Sequence, residues 1–170
     1  MRTKAGWLIA IPFLVLARPT PELIVVGASL AALGLVIRGW SAGTIEKGES
    51  LAVSGPYALT RNPLYLGSSF IGVGLALAGG HWVWPAAFVA FFAAVYMPTM
   101  KREAGELSEL FGSRYAEYAA RVPPFLPRLT PYRPKSTQSD VFQWGRYLRY
   151  REWEAALGVT AAFVVLALRL

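Results

Sequence analysis

Apolar residues run along this chain in blocks, not in alternation, which favours helices over strands. Leu23–Trp40 is apolar apart from Ser29 and Arg38 and is long enough to cross a bilayer. Leu64–Gly80 is a second block, rich in small residues at Gly67, Ser68, Ser69, Gly72 and Gly74. Trp82–Met100 is a third, with Pro85 and Pro98 near its ends, where proline disturbs a helix least. Ala155–Leu168, extended by Trp153, is a fourth, and the shorter Ala5–Ala17, interrupted by Pro12, is the weakest. The blocks predict an all-α polytopic membrane protein of about five transmembrane helices. The first block has a second reading: Arg2, Lys4, an apolar core and Val15-Leu16-Ala17 have the layout of a signal peptide. The turn Arg18-Pro19-Thr20-Pro21 suits a helical hairpin equally well.

Composition supports membrane burial. Only 16% of the 170 residues are charged, 55% are hydrophobic, and mean hydropathy is +0.40. Soluble domains carry about 25% charged residues. One domain is expected at this length, arranged as an N-terminal hairpin (1–40), a core (41–134) and a C-terminal interfacial segment with an extra helix (135–170). Zero cysteines exclude disulfides and thiolate chemistry, and one histidine argues against a zinc site or a serine–histidine triad. No metal is expected.

The net charge of +7 first reads as nucleic-acid affinity. Its placement changes that reading. With the N-terminus inside and five alternating helices, fifteen Lys and Arg residues fall on the inner side, leaving only Arg18 and Arg169 outside. That asymmetry is the positive-inside pattern of cytoplasmic loops, so the partners expected are membrane lipids, with no nucleic acid and no obligate protein partner. The expected location is a membrane whose inner, cytoplasmic face carries the N-terminus and the basic loops. Chemistry is expected on the two long inner segments, Ser41–Pro63 and Lys101–Glu152, because the outer connections Arg18–Glu22 and Gly79–His81 are minimal. His81, on that far side, reads as an interfacial residue.

Within the first inner segment, Gly55-Pro56 marks a turn and Pro63 is placed to open a helix. Arg61 and Asn62 then stand at a helix N-terminus, which favours anions. Tyr57 and Tyr65 offer aromatic faces to cations. A ligand carrying both a carboxylate and a cationic centre suits this set; an interfacial re-entry with a snorkelling Arg61 and an aromatic belt suits it as well. In Lys101–Arg121, Leu107, Leu110, Phe111, Tyr115 and Tyr118 form one apolar helical face opposite Glu109, Arg114 and Glu117. Glu103 directly follows the third block, where it either pairs with Arg61, Lys101 or Arg102 or contacts a ligand. The proline-rich Val122–Pro134 cannot form a regular helix and should lie extended across the inner face. Lys135–Asp140 reads as a linker with Asp140 as a helix cap. Phe142, Trp144, Tyr147 and Tyr150, interleaved with Arg146, Arg149 and Arg151, read as an interfacial anchor.

SGPYALTRNPLYLG (Ser54–Gly67), then Glu103, then FGSRYAEYAARVPPFLP (Phe111–Pro127) resembles the isoprenylcysteine carboxyl methyltransferase and phospholipid methyltransferase superfamily. The matching stretch covers about Trp40 to Pro127, and the order and spacing of its pieces are more specific than any one of them. The resemblance implies an integral-membrane enzyme that transfers a methyl group from S-adenosyl-L-methionine to a lipophilic small molecule or lipid. It implies cofactor contacts at Glu49, Ser50, Leu51, Ala52, Tyr57, Asn62, Pro63, Leu64, Tyr65 and Glu103, with Arg61 and Glu103 as catalytic candidates. Asn62 stands where many members have histidine. Two departures bear on the acceptor: Ala104 replaces the second glutamate of a common pair, and Thr99 stands where the carboxyl methyltransferases place a substrate arginine. Lys101 and Arg102 are the neighbours available to replace that arginine. A carboxylate acceptor needs no base at neutral pH, whereas an amine needs a proton sink, for which Glu103 is nearest. The rival functions are a membrane reductase of related helical architecture and a non-catalytic lipid-binding scaffold.

Overall fold

A computed structural model describes residues 12–13, 15–46, 50–133 and 141–170. The described residues are all-helical: α1 Pro21–Thr44, a 3-10 turn Gly55–Ala58, α2 Pro63–Ala78, α3 Val83–Phe111, α4 Ser113–Arg121, α5 Trp144–Arg149 and α6 Glu152–Ala167. Two of them, α1 and α3, are long and apolar enough to cross a membrane, and α2 is a shorter apolar helix. Only 17% of the apolar window of each long helix is buried, whereas the core helix of a soluble protein would be mostly covered. Val25, Val36, Val89, Met97, Leu157 and Val164 all face outward.

The helices alternate in direction. At one end the stub before α1 meets the ends of α2 and α6: Ala17, Ala78 and Leu166 form a buried cluster packed by Phe13, Leu75 and Phe163. The Phe13 ring sits edge-on to Trp84, and Arg18 N–H donates to Gly79 O at 3.0 Å. The Arg18–Pro21 turn leads into α1, which Thr20 caps by accepting from Leu23 N–H at 3.4 Å. His81 also lies at this end, its Nδ1 accepting from Val83 N–H at 3.2 Å. Most of Ala5–Ala17 lies outside the described residues, as does the Lys135–Asp140 linker.

Close approach of α1 and α2 depends on their small residues. A Cβ on Gly27 would press into the carbonyl of Gly74, and one on Gly34 into the carbonyl of Gly67. Such small-residue seams let helix backbones touch where lipid replaces water. Gly34→Val is therefore expected to destabilise the fold by about 1–3 kcal/mol, as overpacking does. Thermal melting in detergent checks this, and an unshifted midpoint would contradict the contact.

The third helix departs from expectation. Instead of ending near Met100 before a separate helix, α3 continues unbroken through Lys101–Phe111 despite the internal Pro98. Lys-Arg-Glu-Ala are good helix formers, and the break comes only at Gly112, whose φ of 52° lies in the left-handed region that glycine tolerates. Glu103 consequently sits inside a long helix and not at a helix start. Ala104, Leu107 and Phe111 of this extension pack against a second cluster, formed by Leu51, Tyr115, Tyr118 and Val122.

The proline-rich strap after α4 is extended, as anticipated, and clamps residues 58–62. Its carbonyls at Pro123, Pro124 and Phe125 accept from Arg61 N–H (3.0 Å), Asn62 Nδ2 (2.7 Å) and Thr60 Oγ1 (2.9 Å). In return, Arg128 and Tyr132 N–H donate to Leu59 and Ala58 O, both at 2.9 Å. Prolines lack an N–H but keep the carbonyl, so a strap of them serves as an acceptor rail. The aromatic-basic segment docks on the end of α1: Gln143 N–H donates to Gly43 O at 2.8 Å, and Arg146 pairs with Glu46 at 2.9 Å.

Candidate functional site

The 50–62 loop, which the strap holds from behind, and the start of α2 close one side of a cavity of about 550 Å³. The extended α3 and α4 close the other. Its size falls within the range of about 300–1,000 Å³ usual for small-molecule sites.

Asn62 caps α2 with its backbone, as expected, and Pro63 opens the helix. Its side chain is spent on Pro124 O, so Asn62 anchors the strap as well as lining the cavity. Arg61 lies beside it. One guanidinium nitrogen, Nη1, donates to Tyr115 Oη at 3.1 Å, while Nε is buried with no partner among the described residues. Tyr57 follows the Gly55-Pro56 turn, is 5% exposed, and also buries its hydroxyl without a partner. Its backbone carbonyl accepts from the Tyr118 hydroxyl at 2.7 Å, which fixes the ring's base. A buried polar atom left without a partner is expensive. Two of them on one cavity wall mark a place built to receive hydrogen bonds from elsewhere.

Glu103 accepts from the Tyr65 hydroxyl at 2.6 Å. Pairing with Arg61, Lys101 or Arg102 does not occur: Arg102 bonds instead with Glu106, one helical turn away, at 3.3 Å. Glu103 therefore presents a carboxylate to the cavity steadied by a phenol and not neutralised by a cation. The Tyr65 ring in turn packs edge-on to Tyr96, centroids 5.4 Å apart.

Of the residues anticipated from the sequence, Ser50, Leu51, Ala52, Tyr57, Arg61, Asn62, Pro63, Leu64, Tyr65 and Glu103 all line this cavity. Glu49 lies outside the described residues. Lys101 and Arg102 do not line it; both are exposed on the outer face of α3, and Thr99 is buried with its hydroxyl donating to Val95 O at 2.8 Å. Neither basic neighbour replaces the absent arginine.

A second guanidinium on the wall, beside that of Arg61, comes from Arg38, three-quarters of the way along α1. Its Nε and Nη2 donate to both oxygens of Glu152, the first residue of α6, at 2.9 and 2.8 Å. Its Nη1 donates to Ser68 Oγ at 2.5 Å. Arg38, Ser68, Tyr96, Met100, Tyr115 and Glu152 were not anticipated as site residues. Arg38 had a signal of its own, since a lone charge in an apolar span is rarely idle. The others had none, because only folding brings them near.

Electrostatics separate the roles of these groups. Burial, together with Tyr118 and the carboxylates of Glu152 and Glu103, pushes the Tyr57 phenol well above its ordinary value. Tyr57 is thus a neutral hydrogen-bonding group at any ordinary pH. Because the folded phenol holds its proton beyond the ordinary value of 10.0, the folded state binds more protons than the unfolded state above that pH. This contribution to stability is complete below that value and is lost as pH rises past it. Tyr57→Phe should hold its helical circular dichroism to higher pH than the parent chain. Coincident alkaline transitions would contradict the burial of the hydroxyl.

Comparison with known proteins gives a consistent result. The sequence profile described as phospholipid methyltransferase matches residues 22–114, more than half of the chain. The chain is 36% identical over 143 residues to the cobalt-zinc-cadmium resistance protein CzcN of Cupriavidus metallidurans, covering 82% of this chain and 66% of that protein. It is 35% identical over 118 residues to the nickel-cobalt-cadmium resistance protein NccN of Alcaligenes xylosoxydans xylosoxydans, covering 68% and 54%. The chain thus spans between about half and two thirds of the length of these relatives. No solved structure matches significantly.

Proposed function

The chain belongs to the phospholipid methyltransferase family, and on that premise we propose that it transfers a methyl group from S-adenosylmethionine to a lipophilic acceptor at the inner face of a prokaryotic cytoplasmic membrane. The observation that carries this reading is the pair of unpartnered buried atoms, Tyr57 Oη and Arg61 Nε, on one cavity wall. Family membership supplies the class of reaction, and the donor set fits the cofactor. Arg61 is the group to take its carboxylate, Glu103 faces a cationic centre, and the rings of Tyr57, Tyr65 and Tyr96 suit a sulfonium. When bound, S-adenosylmethionine supplies a methyl group already activated for displacement.

What remains for the protein is alignment. Holding two reactants in line within a dry cavity is worth about 7–11 kcal/mol. The 50–62 loop is fixed for this by the strap, and the α3 extension by Tyr65. A carboxylate acceptor reacts as it arrives, whereas an amine must first lose a proton, and Glu103 is the carboxylate placed to take it. In this reading the chain crosses five times, once before α1, and the strap, the α3 extension and most basic residues face the cytoplasm.

The two relatives are named for metal resistance. Among the described residues no group of three or more His, Cys, Asp or Glu side chains comes together. A shared resistance role for this chain would accordingly run through methylation of a membrane component.

Calorimetry of S-adenosylmethionine binding to the detergent-purified chain tests the reading. Binding should weaken in Tyr57→Phe and fall further in Glu103→Ala, with methyl transfer from labelled cofactor into a lipid extract lost in the latter. A folded parent chain that binds no S-adenosylmethionine would overturn it.

A further inference from the structure

The carboxyl end of α1 is completed by residues far along the chain. A helix leaves its last carbonyls without donors of its own, and α1 has no basic residue in its last turn to meet them. The segment around α5 supplies those donors. Gln143 N–H donates to Gly43 O at 2.8 Å, and Arg146 Nη1, 102 positions away, donates to Thr44 O at 3.1 Å. The Phe142 ring occupies the space a Cβ on Gly43 would need, and the Tyr147 ring stands 3.3 Å from the Cβ position of Gly39. Glycine is a poor helix former, so these two glycines, one turn apart, serve the contact and not the helix.

The same guanidinium reaches one step further. Arg146 Nη2 donates to the Glu46 carboxylate at 2.9 Å, and the Arg146 side chain is only 12% exposed, unlike a solvated surface pair. Glu46 in turn accepts through its backbone carbonyl from Ser50 N–H at 3.5 Å. Ile45 before it and Ser50, Leu51 and Ala52 after it line the cavity, whereas Arg146 does not.

We propose that Arg146 is a positioning residue for the cofactor. Its guanidinium ties the end of α1 to Glu46 and so sets the edge of the cavity formed by Ile45 and Ser50–Ala52 before S-adenosylmethionine arrives. The inference rests on the methyl-transfer reading and adds a residue from outside the family match at residues 22–114. The two donors go to different anchors, the last carbonyl of α1 and the carboxylate that follows Ile45. A planar fork fixes the angle between two such acceptors, which a flexible ammonium does not. An edge held in place beforehand leaves less to be ordered on binding, and that saving shows as affinity.

The test uses the full chain purified in detergent. Arg146→Met should weaken calorimetric binding of S-adenosylmethionine by about tenfold, as loss of one charge-assisted contact does. The KM for S-adenosylmethionine should rise in step, while methyl transfer into a total lipid extract at saturating cofactor stays near the parent rate. Hydrogen exchange at Ser50, Leu51 and Ala52 should quicken in the ligand-free variant, and exchange at the strap-held Arg61 amide should not. Arg146→Lys keeps the charge and loses the fork, so it should fall between. Glu46→Gln removes the charge but keeps the backbone carbonyl; it serves if Arg146→Met fails to fold and should show the same pattern more weakly. Arg149→Met, exposed on the same short helix, should bind as the parent chain does.

Equal affinity in the parent chain and Arg146→Met would overturn the proposal. So would weaker binding without faster exchange at Ser50–Ala52. A saturated rate that falls together with affinity, in a chain that melts earlier, would make Arg146 a fastening of the fold and overturn it too. A parent chain that binds no S-adenosylmethionine would overturn the methyl-transfer reading and this proposal with it, and calorimetry on the parent separates that failure from a failure of Arg146 alone.

Discussion

Arg61→Met is expected to weaken S-adenosylmethionine binding by about ten- to a hundredfold, the worth of one charge-assisted hydrogen-bonding group. It should leave the fold intact. The backbone N–H of Arg61, which holds Pro123 O, survives the substitution, and the strap stays in place. The side chain loses one contact, Nη1 to the Tyr115 hydroxyl. It also removes the buried, unpartnered Nε, whose desolvation weighs against the ligand-free fold. These two changes oppose each other, so melting of the free protein should move little. The shift produced by ligand is another matter. Ligand at a hundred times its dissociation constant stabilises by about 2.7 kcal/mol, and at the same concentration about half or more of that increment should vanish in the variant. Arg61→Lys should fall between, since lysine keeps the charge and loses the fork. Equal ligand-induced shifts in parent and Arg61→Met would show that Arg61 does not meet the cofactor. A large loss of stability without ligand would make it a purely structural residue.

The part of the site around Arg61 was legible because its signals are local. Gly55-Pro56 turns the chain, Pro63 starts a helix, and Asn62 must then cap it; all lie within nine residues and need no tertiary information. Glu103 was legible as a position but not in its partner. A carboxylate beside Lys101 and Arg102 reads as an ion pair, yet helical geometry sends Arg102 outward to Glu106 and turns Glu103 inward to Tyr65. The extent of α3 was hidden for a related reason. Hydropathy falls at Lys101, where a span should end, while the helix formers on either side of Gly105 carry the helix on to Gly112. Hydropathy marks what a membrane covers, and backbone geometry marks where the helix stops.

The Arg38–Glu152 pair is the contact that sequence could least foresee, and its removal should have the largest effect on stability. The partners stand 114 positions apart, and their side chains are only 24% and 10% exposed. Glu152→Leu leaves the Arg38 guanidinium with Ser68 alone, and Arg38→Met leaves a carboxylate in largely apolar surroundings. Each single substitution should destabilise by about 3–5 kcal/mol, the range for stranding one member of a buried pair. The double variant strands neither charge. It should recover most of the loss, because an apolar pair of similar volume is often as stable as the ion pair it replaces. Melting of the four proteins in one detergent closes this cycle, and a double variant no more stable than the singles would deny the coupling. Recovery of stability also exposes what the pair does beyond holding α6 in place. A recovered double variant keeps the Arg61 and Tyr57 walls, so its affinity for S-adenosylmethionine should stay near that of the parent chain. The polar groups that Arg38 and Glu152 give the cavity wall are gone, however. Methyl transfer should therefore stay low while stability and cofactor binding return. Full recovery of transfer would reduce the pair to a fastening for α6.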